Sequence, residues 1–230
     1  MIDFRNVPQK LKDINSWVVW YKGVYQEHLK KNPVGVPIEA WSADWNTYPV
    51  KPYLEAKESL KQYRKENPTI DYGLGFALNM QHNVVGIDLD SVLQSDGTSF
   101  PVSQEYVMPI VEQARKDGCY MEYSVSNTGV HIYGTSKHKS DLFTLDQLGV
   151  IYSYFVEIYY AVSHLVVTGD ALSFTDELNC IDNTIDVAME QIKKIKKDFY
   201  LEERKNDKIP ILIGYSENYN LLPKFQQCIL

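Results

Sequence analysis

Two carboxylates stand two residues apart in the apolar run Val84-Val85-Gly86-Ile87-Asp88-Leu89-Asp90. In a β-strand side chains alternate between faces, so Ile87 and Leu89 turn to a core while Asp88 and Asp90 share the other face, about 6.6 Å apart at Cα. Two such carboxylates can each hold Mg²⁺ or Mn²⁺, hard cations that prefer oxygen. A pair of these ions can clamp both oxygens of a phosphoryl transfer. An isolated Asp-x-Asp is more often a solvated strand end or a turn cap, so the metal reading needs other residues beside it.

Two further segments supply them. Ser124-Val125-Ser126-Asn127-Thr128-Gly129-Val130-His131 is a run of small hydroxylated residues with one Gly, able to offer backbone N–H and O–H donors to a phosphate. His131 leaves this loop on a strand whose other face carries Val130 and Ile132, so it is expected to face solvent or a cleft; a lone His at a strand start is more often a surface or capping residue. In Phe155-Val156-Glu157-Ile158-Tyr159-Tyr160 a carboxylate interrupts a bulky β run. A buried carboxylate needs a partner, and a metal shared with Asp88 and Asp90 would be one.

The elements that must position these groups can be read from period and punctuation. Residues 16–21 read as a strand, followed to about Trp45 by a Pro-, Gly- and Asn-rich stretch expected to be a long loop with short strands. Pro52 opens a helix that closes near Asn67-Pro68. Residues 73–78 and 84–90 read as the two strands of a hairpin. Residues 103–117 read as a helix ended by Gly118, with Pro109 as a kink or a late first turn. Strands follow at 120–123, 130–133, 150–160 and 165–168. A last helix at about 184–199 carries Ile185, Ala188, Met189, Ile192, Ile195 and Phe199 on one face, with Thr184 as its cap. Residues 1–200 form one domain on this reading, and 201–230 a charged linker and tail.

Composition narrows the class. The chain has 230 residues, 44% hydrophobic and 23% charged, an ordinary globular balance. No apolar run approaches bilayer length and the first residues lack a signal layout, so a cytoplasmic protein is expected, with no membrane partner. Cys119, Cys180 and Cys228 are far apart and suit neither a disulfide framework nor a zinc site. A net charge of −7 argues against gripping duplex DNA mainly through its phosphates, although a local basic groove is compatible with it. The 17 Tyr, 4 Trp and 8 Phe are for the most part strand and core residues, and some could stack on unpaired bases.

In order and content these motifs resemble those of the primase-polymerases of the archaeo-eukaryotic primase superfamily, in particular those of phages, plasmids and other mobile elements. Ile87-Asp88-Leu89-Asp90 is similar to the family's apolar-Asp-x-Asp strand, Ser124 to His131 to its Ser-x-Ser-Gly-x-Gly-x-His segment, and Val156-Glu157-Ile158-Tyr159 to its apolar-Glu-x-Tyr strand. Trp17-Val18-Val19-Trp20, the Pro33/Pro37 loop ending in Trp41-Ser42, and Gly73-Leu74-Gly75-Phe76 fall where the family has similar residues, so the resemblance spans about residues 15 to 170.

The resemblance implies an α+β fold of mixed and antiparallel sheets, with a recognition-motif-like catalytic subdomain and flanking helices. It implies that Asp88, Asp90 and Glu157 are catalytic and hold two Mg²⁺ or Mn²⁺ ions. Ser124, Ser126, Asn127, Gly129 and His131 would contact the triphosphate of an incoming nucleotide. The partners implied are a single-stranded DNA template and nucleoside triphosphates. No Gly-x-x-x-x-Gly-Lys-Ser/Thr loop is present, so unwinding is expected from a separate helicase or replication initiator.

Two departures stand out. Asn127 occupies a place where relatives usually have Gly, and it tolerates a left-handed backbone better than most residues. Where relatives place Arg after the third acid, in a Glu-x-Tyr-x-x-x-Arg pattern, this chain has Ser163 followed by His164. His164 replaces a cation only partly, because imidazole is mostly neutral at pH 7 unless a partner raises its pKa. The expected activity is template-dependent nucleotidyl transfer in replication of a mobile element or phage. The alternative is a catalytically weakened module that binds single-stranded DNA or a replicative helicase. A two-metal nuclease fits the acids but leaves the His131 loop without a purpose.

Overall fold

The computed structural model describes residues 4–25, 27–36, 49–90, 92–93, 101–145, 150–161 and 163–206, with backbone alone at 28, 101–103, 143–145 and 200–206. Pro37, Trp41-Ser42 and the tail from residue 207 lie outside the described residues. The elements in chain order are α1 (Gln9–Lys12), β1 (Trp17–Tyr25), β2 (His28–Pro33), α2 (Tyr53–Glu66), β3 (Tyr72–Leu78), β4 (Val84–Leu89), α3 (Pro101–Lys116), β5 (Tyr120–Tyr123), β6 (Val130–Thr135), α4 (Lys139–Leu145), β7 (Val150–Tyr152), β8 (Val156–Tyr159), β9 (Ser163–Val167), β10 (Ala171–Ser173) and α5 (Asp182–Asn206). The architecture is α+β with two antiparallel sheets, a four-stranded one in the order β2-β1-β3-β9 and a six-stranded one in the order β10-β5-β6-β4-β8-β7. Among the described residues, no helix is long and apolar enough to cross a membrane.

Alternation decides which face of the six-stranded sheet is apolar. Met121, Ile132, Ile87, Ile158 and Ile151 lie opposite one another in adjacent strands and form one greasy face. They are buried together with Val107, Ile110 and Ala114 of α3 and with Ile185, Ala188, Ile192 and Ile195 of α5. Each of the Val, Ile and Met side chains among them contributes about 1.5–3 kcal/mol on burial. Met189 and Phe199 pack at the margin of this core, so the expected apolar face of α5 is the buried one. A second core joins Trp17, Val19, Leu74 and Phe76 of the smaller sheet to Tyr53, Ala56 and Leu60 of α2. Trp17 meets Tyr53 and Phe76 edge-on at ring-centroid distances of 5.0 and 5.5 Å.

Four expectations are corrected. Residues 73–78 and 84–90 do not form a hairpin, because β3 and β4 lie in different sheets. The connection between them is held by Lys139, whose Nζ donates to the carbonyls of Asn79 (2.7 Å), His82 (2.8 Å) and Val84 (2.6 Å), supplying bonds that a hairpin ladder would otherwise provide. The run 150–160 is two strands, β7 and β8, paired with each other and turned at Ser153, whose N–H donates to Val156 O at 2.8 Å. Helix α5 begins at Asp182, and the Thr184 N–H and Oγ1 both donate to the Asp117 carboxylate, so the cap comes from the turn after α3. It also continues to Asn206, into the stretch expected to be linker. Pro109 lies inside α3.

Candidate functional site

Cross-strand register builds the site. Glu122 of β5 lies opposite His131 of β6, His131 opposite Asp88 of β4, and Asp88 opposite Glu157 of β8. Directly opposed residues share a face, so these four side chains form one transverse row on the side away from α3 and α5. All four are buried. A parallel row two residues along holds Tyr120, Tyr133, Gly86 and Tyr159 on the same face. The Tyr159 hydroxyl donates to Glu157 Oε2. Tyr133 donates to the Val166 carbonyl at 2.7 Å, which ties this face to the edge of the smaller sheet.

The row is satisfied at one end and open at the other. Glu122, with no exposed surface, accepts hydrogen bonds from Tyr120 Oη (2.8 Å), Thr168 N (2.9 Å) and Gly169 N (2.9 Å), and its Oε1 lies 3.2 Å from His131 Nδ1. On the other side of the ring, His131 Nε2 lies 3.6 Å from Asp88 Oδ1, an ion-pair distance too long for a hydrogen bond. Asp88 Oδ1 is buried and accepts no hydrogen bond. Burial opposes charging of His131, but the Asp88 charge and the Glu122 hydrogen bond and charge outweigh it and raise its pKa above the ordinary value. A carboxylate at each ring nitrogen favours the doubly protonated ring.

Of the two surroundings expected for His131, solvent or a cleft, solvent is excluded: the residue is 2% exposed and sits between two carboxylates. Glu122 was missed. The argument that picked out Glu157 applies to it equally, since Glu122 interrupts the short bulky strand Tyr120-Met121-Glu122-Tyr123. Asp90 follows β4 directly, half-buried, and its N–H donates to Phe155 O at 3.0 Å, continuing the β4–β8 ladder by one bond.

The hydroxylated loop lies beside the same end of β4. Ser124 is buried, while Ser126 and Asn127 are exposed. The hydroxyls chain together, Ser124 to Ser126 at 3.0 Å and Ser126 to Thr128 at 2.8 Å. The Gly129 N–H donates to Ser124 Oγ at 3.0 Å and the Asn127 N–H to Ser124 O at 3.0 Å, so these two donors already serve the turn and not a phosphate. Asn127 adopts φ +59°, the left-handed conformation that its type tolerates. Thr128 O accepts from Val92 N (2.8 Å) and Leu93 N (2.9 Å), and a Cβ on Gly129 would come within 2.8 Å of Leu89 O. The loop is thus stapled to the segment that carries Asp90.

Ser163 does not continue the Glu157 strand. It opens β9 in the other sheet, opposite Leu78, so the parity that would align it with Glu157 is lost. His164 does not supply the cation either: burial, then the Lys31 charge, push its pKa down to about 4, leaving it neutral at pH 7.

The donor set suits a divalent cation in one respect, since Asp88 presents a buried carboxylate oxygen without a hydrogen bond beside a second carboxylate, Glu157. Among the described residues, no group of three or more His, Cys, Asp or Glu side chains is gathered at metal-ligating spacing. Carboxylates of like charge repel at short range unless a cation offsets the repulsion. No family model matches this chain, and no curated protein matches it.

Proposed function

We propose that this chain is a nucleotidyltransferase of the primase-polymerase type, with a fold of that family, which extends a strand on a single-stranded DNA template from nucleoside triphosphates. The observation that carries the reading is the buried row in which Asp88 faces Glu157 on one side and His131 on the other, with Asp88 Oδ1 unbonded. Asp88, Asp90 and Glu157 would hold Mg²⁺ or Mn²⁺, and Tyr159 orients Glu157 for this by bonding one of its oxygens. Such cations, when bound, would supply a lowered pKa for an attacking 3′-hydroxyl and would offset charge on the triphosphate and leaving pyrophosphate. Glu122 fixes Nδ1 of His131 and leaves the Nε2 proton, only loosely held by Asp88, to donate to a phosphate oxygen. No protein nucleophile is needed, and a separate helicase would open duplex DNA.

A second reading is a non-catalytic module that binds single-stranded DNA or a helicase. It is favoured by the donors of the 124–129 loop that are already used internally. Primer synthesis and extension on single-stranded DNA, with Mg²⁺ and with Mn²⁺ and each nucleotide class, separates the two. The enzyme reading expects incorporation by the parent protein and its loss in the Asp88→Ala, Asp90→Ala double variant with the fold retained. Parent-rate incorporation in the double variant removes the assignment of these acids, and no incorporation by the parent on any template leaves the binding module.

A further inference from the structure

The β1–β2 ribbon outruns the sheet it belongs to. β3 pairs with β1 only from Trp17 to Tyr21, and the Lys22 N–H gives one more bond, to Asp71 O at 2.8 Å. Beyond it, residues 23–25 and 28–30 pair only with each other among the described residues, and Glu27 turns the chain at φ +67°. A two-stranded ribbon on its own is marginally stable. This one carries further costs. Lys22 lies directly opposite Lys31, a like-charge pair that opposes the pairing, and Val24 lies opposite Leu29 with 65% and 42% of their surfaces exposed. Burial within this fold does not account for such side chains.

One face of the ribbon is aromatic. Tyr21, Gly23 and Tyr25 alternate onto it, and Tyr72 of β3, opposite Tyr21, and Lys30 of β2, opposite Gly23, join them. The Tyr21 and Tyr72 ring centroids are 6.5 Å apart, and Tyr63 of α2 stacks on Tyr72 at 5.6 Å. Lys30 Nζ lies over the Tyr25 ring, 5.4 Å from its centroid. All four tyrosines are half-buried, not sealed in the core. The exposed Arg64 donates to Tyr72 O at 2.7 Å, which sets a second cation toward the other end of the row. Lys22 and Lys31 stand on the opposite face. A ribbon is one backbone thick, comparable with the Debye length of about 8 Å at physiological salt, so charges on both faces add to one positive field. Residues 21–25 and 28–32 hold three Lys and no acid, and the turn adds one acid, Glu27, in a chain whose net charge is −7.

We infer that the projecting β1–β2 ribbon is a binding surface for single-stranded nucleic acid, with bases stacked on the Tyr25–Tyr21–Tyr72 row and phosphates held by its lysines. Flat rings at a surface take unpaired bases of any type, and neighbouring cations follow the backbone. A duplex keeps its bases stacked on one another and away from the tyrosines. The opposition of Lys22 and Lys31 then has a purpose, because a bound polyanion offsets their repulsion. The inference deepens the proposed function by giving the single strand a place to lie, and rests on that reading for the strand being DNA. Single-stranded RNA shares the chemistry.

The test measures binding to the full chain by fluorescence anisotropy, without nucleotide or divalent cation, using labelled oligothymidylate, oligouridylate of the same length, and a duplex. The parent should prefer the thymidylate to the duplex, with an affinity that falls as salt rises. Tyr25→Ala should weaken thymidylate binding about tenfold and Tyr25→Phe less than about twofold, since stacking needs the ring and not the hydroxyl. Lys22→Gln combined with Lys31→Gln should lower the log–log salt slope by about 1.4, as for two lost phosphate contacts. Its thermal midpoint should stay at or above the parent's, because an opposed like-charge pair is gone. Tighter binding of the uridylate upholds the surface and assigns the strand to RNA. Equal binding of duplex and single strand, no binding by the parent, or unchanged affinity in Tyr25→Ala overturns it. So does binding confined to phosphatidylserine vesicles, or a dimer of the parent, that Val24→Ser abolishes; these give the ribbon to a lipid surface or to a second copy. Single-strand binding lost in Tyr25→Ala, in a parent that incorporates no nucleotide, upholds the surface and removes the polymerase reading. Incorporation by a parent whose affinity Tyr25→Ala leaves unchanged does the reverse.

Discussion

His131 divides one polar row into two halves with opposite character. On the Glu122 side, the carboxylate has no exposed surface and meets a hydroxyl, two backbone N–H groups and an imidazole. On the Asp88 side, a carboxylate oxygen is buried without a hydrogen bond beside another carboxylate. Buried charge is tolerated when its lone pairs are filled and is costly when they are not. The first half therefore works as a fold determinant that locks the Thr168-Gly169 turn to β5 and holds the ring. The second half is left short of partners where a ligand could supply them.

The contrast can be broken most directly by removing one carboxylate from each half. Glu122→Ala should destabilise the protein by about 3–5 kcal/mol, because two N–H groups and a charged ring lose their acceptor together. Asp88→Asn should cost less than Glu122→Ala, because Asp88 Oδ1 accepts no hydrogen bond and the loss is confined to the Asp88 charge beside the His131 ring. Denaturant midpoints at fixed pH measure both, and equal losses would erase the distinction. His131→Ala sharpens it next: nucleotide binding should weaken by about 1.5–3 kcal/mol, the range for a hydrogen bond to a charged group, and DNA binding by less. Unchanged nucleotide affinity would make the ring purely structural.

The pH dependence of stability separates His131 from Lys139. Because the folded-state pKa of His131 lies above its ordinary value, its contribution is complete below that ordinary value and is lost as pH rises through the folded-state one. Burial pushes Lys139 the other way, from 10.5 down to about 7, so the unfolded chain binds the extra proton between those values and stability rises with pH across them. The three carbonyls around Nζ need three hydrogens and so favour the ammonium form, which limits that rise. In Lys139→Met that rise is removed, and just above the ordinary imidazole pKa, before Cys119 and the buried tyrosines begin to contribute, stability should fall as the His131 component is lost. A flat profile there would contradict a charged ring in the row. The smallest effect belongs to the loop: Asn127→Ala should cost about 1 kcal/mol at its left-handed φ, read as a small drop in Tm, while Asn127→Gly should not destabilise.

Alternation in 84–90 is enough to place Asp88 on the polar side of its strand, because that strand has an apolar face buried against α3 and α5, while Glu157 stands out only as a carboxylate in a bulky run. Pairing partners were less legible. The segment 79–83 reads as a hairpin turn, and only Lys139, more than fifty residues later in the chain, reveals a crossing between sheets. Glu122 looked like an ordinary residue of an amphipathic strand because its partners Thr168 and Gly169 come from a distant turn. The split of 150–160 was hidden by an apolar composition that continues through the turn, with only Ser153 to mark it.

One consequence follows from Gly129. With a missing side chain against Leu89 O and a neighbouring carbonyl that holds Val92 and Leu93, the loop cannot shift without carrying the peptide that leads into Asp90. Segments that are remote in the chain thus behave as one mechanical part. A displacement of the loop would therefore be passed to the backbone on both sides of Asp90, although the two segments lie far apart in the chain.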